Sequence, residues 1–89
     1  MTAPGVEVSA AAGWVEVDGV VYAAALPDGP PLVLHGPGAL VWRAAVPGGT
    51  LTEVVARVAA AAETSAEVVA DDVTRFVDDL VAAGVLTYA

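Results

Sequence analysis

The side chains able to do chemistry are few in this sequence, and their spacing restricts them further. There is one histidine, His35, no cysteine and no lysine; the basic residues are Arg43, Arg57 and Arg75. Without a thiolate there is no cysteine nucleophile, no disulfide and no cysteine zinc site, and a lone imidazole builds no histidine metal centre. The acids include two adjacent pairs, Asp71-Asp72 and Asp78-Asp79. Neighbours on a helix point about 100° apart, so neither pair converges on a cation or forms a carboxylate dyad. EF-hand spacing is absent. Gly36-Pro37-Gly38 lacks the Gly-Lys-Ser/Thr ending of a phosphate loop. Ser9 and Ser65 lack the Asp-Ser-Leu-like setting of a phosphopantetheine carrier. What remains suits binding. Val68, Asp72, Arg75 and Asp79 fall within about 60° of one another on a helical wheel. There Arg75 can meet a carboxylate, and Asp72 and Asp79 can meet basic groups. The same flank also fits a solvated helix face on which Asp71 or Asp79 pairs with Arg75.

Those residues need elements to hold them. Trp14-Val15-Glu16-Val17 alternates with period two, Asp18-Gly19 is the dipeptide of a two-residue hairpin, and Val20 to Ala24 is the return strand. That register puts Val15, Val17, Val20 and Tyr22 on one face, with Trp14, Glu16, Val21 and Ala23 on the other. A rigid turn, Pro27 to Pro31, leads into a short third strand, Leu32-Val33-Leu34. This strand lies at the edge of the meander, where its N–H and C=O groups offer a template to another chain.

The period then becomes helical. Pro37 opens a helix through about Ala45 that Pro47-Gly48-Gly49 ends. Thr50-Leu51-Thr52-Glu53 is a capping box, starting a second helix to about Ala62 with Glu53 and Arg57 at i,i+4. Thr64-Ser65-Ala66-Glu67 reads as a second box. A third helix follows to about Ala83, with core positions Val69, Val73, Phe76 and Leu80, and Gly84 stops it. The flank Ala70, Val77 and Val81 is further core or the wall of an apolar groove. Residues 1–13 read as a loose lead-in, although Val6-Glu7-Val8 has the pattern of a short strand, and residues 14–89 form the domain. Strands followed by helices predict an α+β, winged helix-turn-helix-like fold: a three-stranded antiparallel sheet, then three helices.

Composition sets the outer bounds. An 89-residue chain is one small domain, and alanine and valine supply most of its apolar side chains, so the core is built of short ones. Eleven acids against three arginines leave a net charge of −8, the wrong sign for a partner recognised through its phosphates. That argues against a winged-helix DNA-binding regulator. The N-terminus has no basic n-region, and no apolar run approaches the roughly 20 residues of a membrane span. These features predict a cytoplasmic protein that binds neither nucleic acid nor membrane.

The order of these segments resembles the PqqD-like family, the small precursor recognition elements of ribosomally made, post-translationally modified peptides (RiPPs). The matching residues are Asp18-Gly19 with the following apolar strand; Leu34-His35-Gly36-Pro37-Gly38-Ala39-Leu40-Val41-Trp42; Gly49-Thr50-Leu51-Thr52-Glu53-Val54; and Asp72-Val73, Phe76-Val77, Leu80 and Gly84-Val85-Leu86. His35 stands where the family has Asn, and Pro30-Pro31 where it has basic and aromatic residues. The resemblance implies a non-catalytic protein without a cofactor. Such a protein binds the leader segment of a precursor peptide as an extra strand on the third strand, against the third helix. It then presents that segment to a leader peptidase, as in lasso-peptide assembly, or to a radical-SAM or other modifying enzyme. The implied peptide-binding residues are Leu32, Val33, Leu34, His35, Val68, Asp72, Arg75, Phe76 and Asp79. His35 is expected to satisfy local backbone groups and orient the strand. A structural protein–protein adaptor is the alternative.

Overall fold

The computed structural model describes residues 4–89. In chain order the elements are β1 (Gly5–Val8), β2 (Ala12–Val17), β3 (Val20–Ala25), β4 (Leu32–Leu34), α1 (Pro37–Ala45), β5 (Gly49–Thr50), α2 (Leu51–Ala61), α3 (Ala66–Ala82) and β6 (Leu86–Tyr88). The expected α+β arrangement is present: an antiparallel sheet in the order β2-β3-β4, followed by three helices.

The hairpin forms at Asp18-Gly19 because both residues take the positive φ that its two-residue turn requires, 51° and 79°. The turn sets Val17 opposite Val20, and the register carries Val15 to Tyr22 and Trp14 to Ala23. Val21 and Ala23 are buried toward the helices, whereas Val15, Val17, Tyr22 and Val33 face outward and are exposed. Two contacts fasten β2 to α1. Trp14 meets Trp42 edge-to-face at 5.6 Å, and the Arg43 guanidinium donates to Glu16 Oε2 at 3.0 and 2.7 Å and to the Gly19 carbonyl at 3.0 Å.

Each helix stops and starts on local chemistry. Pro37 occupies the first turn of α1. The Thr50 box is complete: the Glu53 N–H donates to Thr50 Oγ1 at 3.1 Å, and the Thr50 N–H to Glu53 Oε1 at 2.9 Å. At the end of α3, Gly84 adopts φ 83°; its N–H bonds the Val81 carbonyl and the Val85 N–H bonds that of Leu80, a Schellman closure. The helices pack around a core of Trp42, Val54, Val58, Val73, Val77 and Leu80, with no polar or charged residue buried among those described.

Two expectations need correction. The N-terminal segment is not a loose lead-in from Gly5 onward. The short-strand alternative holds: β1 pairs antiparallel with β6 and β5 in a second sheet, and Val6 is buried under it. Residues 1–3 lie outside the described residues. The Thr64 capping box does not form, because α3 is capped one residue later, at Ser65. Glu67 is therefore the second helical residue, not the third, and the cap has no side-chain hydrogen bond. The Val68 N–H turns instead to the Ser65 carbonyl.

Candidate functional site

The sheet presents its free β4 edge with a definite polarity. A two-residue hairpin makes the residues flanking its turn a hydrogen-bonded pair, and alternation extends this to Val15–Tyr22 and Gly13–Ala24. The Leu26 N–H bonded to the Ala11 carbonyl at 2.8 Å continues the same series. Tyr22 therefore directs its backbone groups to β2, and Val21 and Ala23 direct theirs to β4, opposite Leu34 and Leu32. Val33 lies between those two, so its N–H and C=O point away from β3, off the edge of the sheet. The flanking outward positions are His35 and Pro31; the latter contributes a carbonyl but no donor.

Beside that edge the helices leave a groove of about 660 Å³. Its floor is apolar: Pro37, Leu40 and Val41 of α1, Val58 and Ala62 at the end of α2, and Val69, Val73 and Phe76 of α3. Asp72, Arg75 and Asp79 form its polar rim. Gly38 is where strand and helix approach each other. A Cβ there would lie 3.4 Å from Phe76 Cε1 and 3.8 Å from Leu34 Cδ2. Both are ordinary van der Waals separations, so the first turn of α1 lies close to the Leu34 and Phe76 side chains.

The predicted residues distribute unevenly over this geometry. Leu32 and Leu34 are half-buried against the core and Val33 is exposed. Asp72, Arg75, Phe76 and Asp79 converge on the groove, whereas Val68 is exposed and lies off its lining. The flank left open by the sequence, Ala70, Val77 and Val81, is core. His35 is exposed, and its ring makes no hydrogen bond to the backbone among the described residues, so the expected local role is not seen. Arg75 pairs with Asp72, not with Asp71 or Asp79, at 3.8 Å, with both side chains about three-quarters exposed. Such a pair contributes little and is free to rearrange around a ligand.

The electrostatics of the site come from its supports. Arg57 was legible only as the partner of Glu53, a contact of 3.9 Å. Its stronger bonds run to the Ala44 and Gly48 carbonyls, at 2.9 and 2.7 Å, closing the C-terminal end of α1 and fixing the angle between two groove walls. Hydrogen bonds from the Thr50 backbone and hydroxyl hold the Glu53 carboxyl below the usual carboxylate range. The Arg43 hydrogen bond does the same for Glu16. On the far side of α3, Tyr88 donates to Asp78; partial burial, then that bond, push its phenol up to about 12. No group of side chains able to hold a metal ion occurs among the described residues.

Fold and site together define a small winged-helix-like α+β domain with one sheet edge open above an apolar groove. Residues 27–86 match the family described as coenzyme PQQ synthesis protein D (PqqD), and the chain belongs to that family. The matched span opens in the turn before β4 and takes in the edge strand, all three helices and the start of β6. Among solved structures, TbiB1, determined in complex with the TbiA(β) leader peptide, has a similar fold. The TM-score is 0.78 at 22% identity, over 90% of this chain and 93% of that one. No curated protein sequence matches this one.

Proposed function

We propose that this protein is a non-catalytic recognition module of a RiPP pathway. It takes the leader segment of a precursor peptide as a strand added to β4 and presents it to the enzyme that processes or modifies that peptide. The observation that carries the reading is the free β4 edge, with Val33 directed outward, beside an apolar groove that ends in charged residues. Main-chain hydrogen bonds along such an edge give affinity to any extended peptide, and the adjoining pocket selects among side chains. Membership of the PqqD family supports it, as does the likeness to TbiB1, whose structure holds a leader peptide. A leader peptidase and a radical-SAM enzyme are the two partner types the family suggests.

In the bound state Val33 gives one donor and one acceptor to the peptide. Phe76 and Leu40 receive an apolar side chain, and Asp72, Arg75 and Asp79 meet its polar neighbours. The test is fluorescence anisotropy of a labelled leader from the precursor encoded beside this protein. Saturable binding at micromolar concentrations or below, absent for the core segment alone, is expected. A folded protein that binds no such leader overturns the reading and leaves the adaptor alternative.

A further inference from the structure

A strand added to an edge has to choose its register. Ladder bonds repeat every two residues, and a slip of two keeps every side chain on its own face. Main-chain bonds and an apolar groove therefore tolerate slippage, and a polar contact at one defined position removes it. β4 ends in such a group. From Pro31 to His35 exposure alternates residue by residue: Pro31, Val33 and His35 are exposed, and Leu32 and Leu34 are half-buried. His35 thus continues the outward side of the strand one step beyond the Val21–Leu34 pair, at the end of the sheet that carries the Asp18-Gly19 turn. It is the one polar side chain in that run. Its ring makes no ion pair or hydrogen bond among the described residues, so its nitrogens are open to a ligand.

The charges of the chain decide which ligand group fixes a register there. Arg43 is taken up by Glu16 and the Gly19 carbonyl, and Arg57 by the Ala44 and Gly48 carbonyls. Arg75 lies on α3, on the groove side. A peptide cation meets eleven acids, Asp18 on the nearest turn among them, and gains no single preferred position. A peptide carboxylate on the outward side of β4 meets His35, and an imidazole N–H donates to a carboxylate whether or not the ring is charged. The direction of the strand follows from Val33. An antiparallel peptide satisfies both of its outward groups with one residue, where a parallel one needs two, and the rest of the sheet is antiparallel. Counting back from the peptide residue opposite Val33, the first lies inward beside Leu34 and the second stands opposite His35. Directly opposed Cβ atoms are about 5 Å apart, within reach of an imidazole and a carboxylate. A slip of two carries that carboxylate onto exposed Val33, whose side chain offers it no donor.

We propose that His35 sets the register of the bound peptide by donating to an aspartate or glutamate carboxylate two residues before the position opposite Val33. The inference rests on the peptide-recognition reading above and narrows its substrate class. The leader carries an acidic residue, an apolar one, any residue and a second apolar one, in that order, with the two apolar side chains facing inward beside Leu34 and Leu32.

The test is a double-mutant cycle by fluorescence anisotropy, using the fluorescein-labelled leader of the precursor encoded beside this protein. Each acidic residue of the leader is replaced in turn by alanine, and every peptide is titrated with wild type, His35→Ala and His35→Glu. Replacing the acid of the pattern is expected to weaken wild-type binding by about three- to fivefold, as an exposed ionic contact would, and to cost His35→Ala nothing further. His35→Glu is expected to bind the native leader worst and to regain affinity when that acid becomes lysine, a rescue that a purely structural role for His35 would not give. Additive losses overturn the contact, and so does coupling to a carboxylate placed elsewhere or a leader that lacks the pattern. A folded wild-type protein that binds no leader is a separate result: it removes the recognition reading and this inference with it. If His35→Ala melts well below wild type, His35→Gln, which keeps a side-chain N–H, takes its place in the cycle and is expected to retain part of the coupling that His35→Glu reverses.

Discussion

The sheet has two free edges, and they differ in what lies beside them. β2 is fastened to α1 by the Trp14–Trp42 contact and by the Arg43–Glu16 bonds, so polar and aromatic groups already occupy its neighbourhood. β4 has the groove, with Leu34 and Phe76 each close to Gly38 and the α3 rim beyond. Both edges expose backbone groups of equal hydrogen-bonding strength. On the proposed reading, the side-chain space next to an edge selects the strand-addition site, because every edge supplies the same ladder.

The sharpest way to break that comparison is Val33→Pro. It deletes the outward N–H of β4 while leaving the bonds of Leu32 and Leu34 to β3 intact. Loss of one or two main-chain bonds at about 0.5–1.5 kcal/mol each predicts a leader affinity weaker by roughly 2- to 150-fold, with little change in Tm. Unchanged binding would sink the β4 assignment. The matched change on the other edge is Glu16→Pro, which removes an outward N–H of β2; leader affinity by anisotropy should stay within twofold. Arg75→Ala comes next. Its exposed pair with Asp72 contributes little to folding, so urea midpoints should move by less than about 0.5 kcal/mol in stability. A fall in affinity then reports contact between the rim and the peptide.

The smallest effect separates the edges by pH. The folded-state pKa values of Glu16 and Glu53 lie below their ordinary values near 4.5. Their stabilisation is therefore present above that pH and is lost as pH falls through the depressed values. Thermal melts between pH 5 and pH 2 should decline, and Glu16→Gln should flatten part of that slope. Hydrogen exchange in the same window should rise at the β2 hairpin before β4, whose support is apolar.

Much of this was readable from residue order, wherever the cause is local. Asp18-Gly19 sets its turn and register, Thr50 and Glu53 their box, and Gly84 its closure, because each acts within a few residues. The second sheet was visible only as a three-residue pattern at Val6-Glu7-Val8, since its pairing joins positions some eighty residues apart. The Thr64 box had the right spelling, but the helix took Ser65 as its cap. At the site, Asp72, Arg75, Phe76 and Asp79 were legible as neighbouring positions on one helix. The walls from Leu40, Val58 and Ala62, and the bonds from Arg57 across to α1, arise only when helices distant in sequence are packed together. Val68 shared the wheel position of the rim residues but is exposed and lies off the groove lining, which takes its neighbour Val69 instead.

The pairing of β1 with β6 has a practical consequence. The Ala89 N–H donates to the Gly5 carbonyl at 2.9 Å, so the two ends of the described chain meet on one sheet, away from the groove and from β4. A domain arranged in this way can be inserted into a surface loop of another protein, entering and leaving through adjacent points, with its fold and its open edge undisturbed. It is a portable cassette. Grafted onto an unrelated peptide-modifying enzyme, it would hold substrate at a local concentration set by the linker, so that modest affinity for the peptide becomes effective capture.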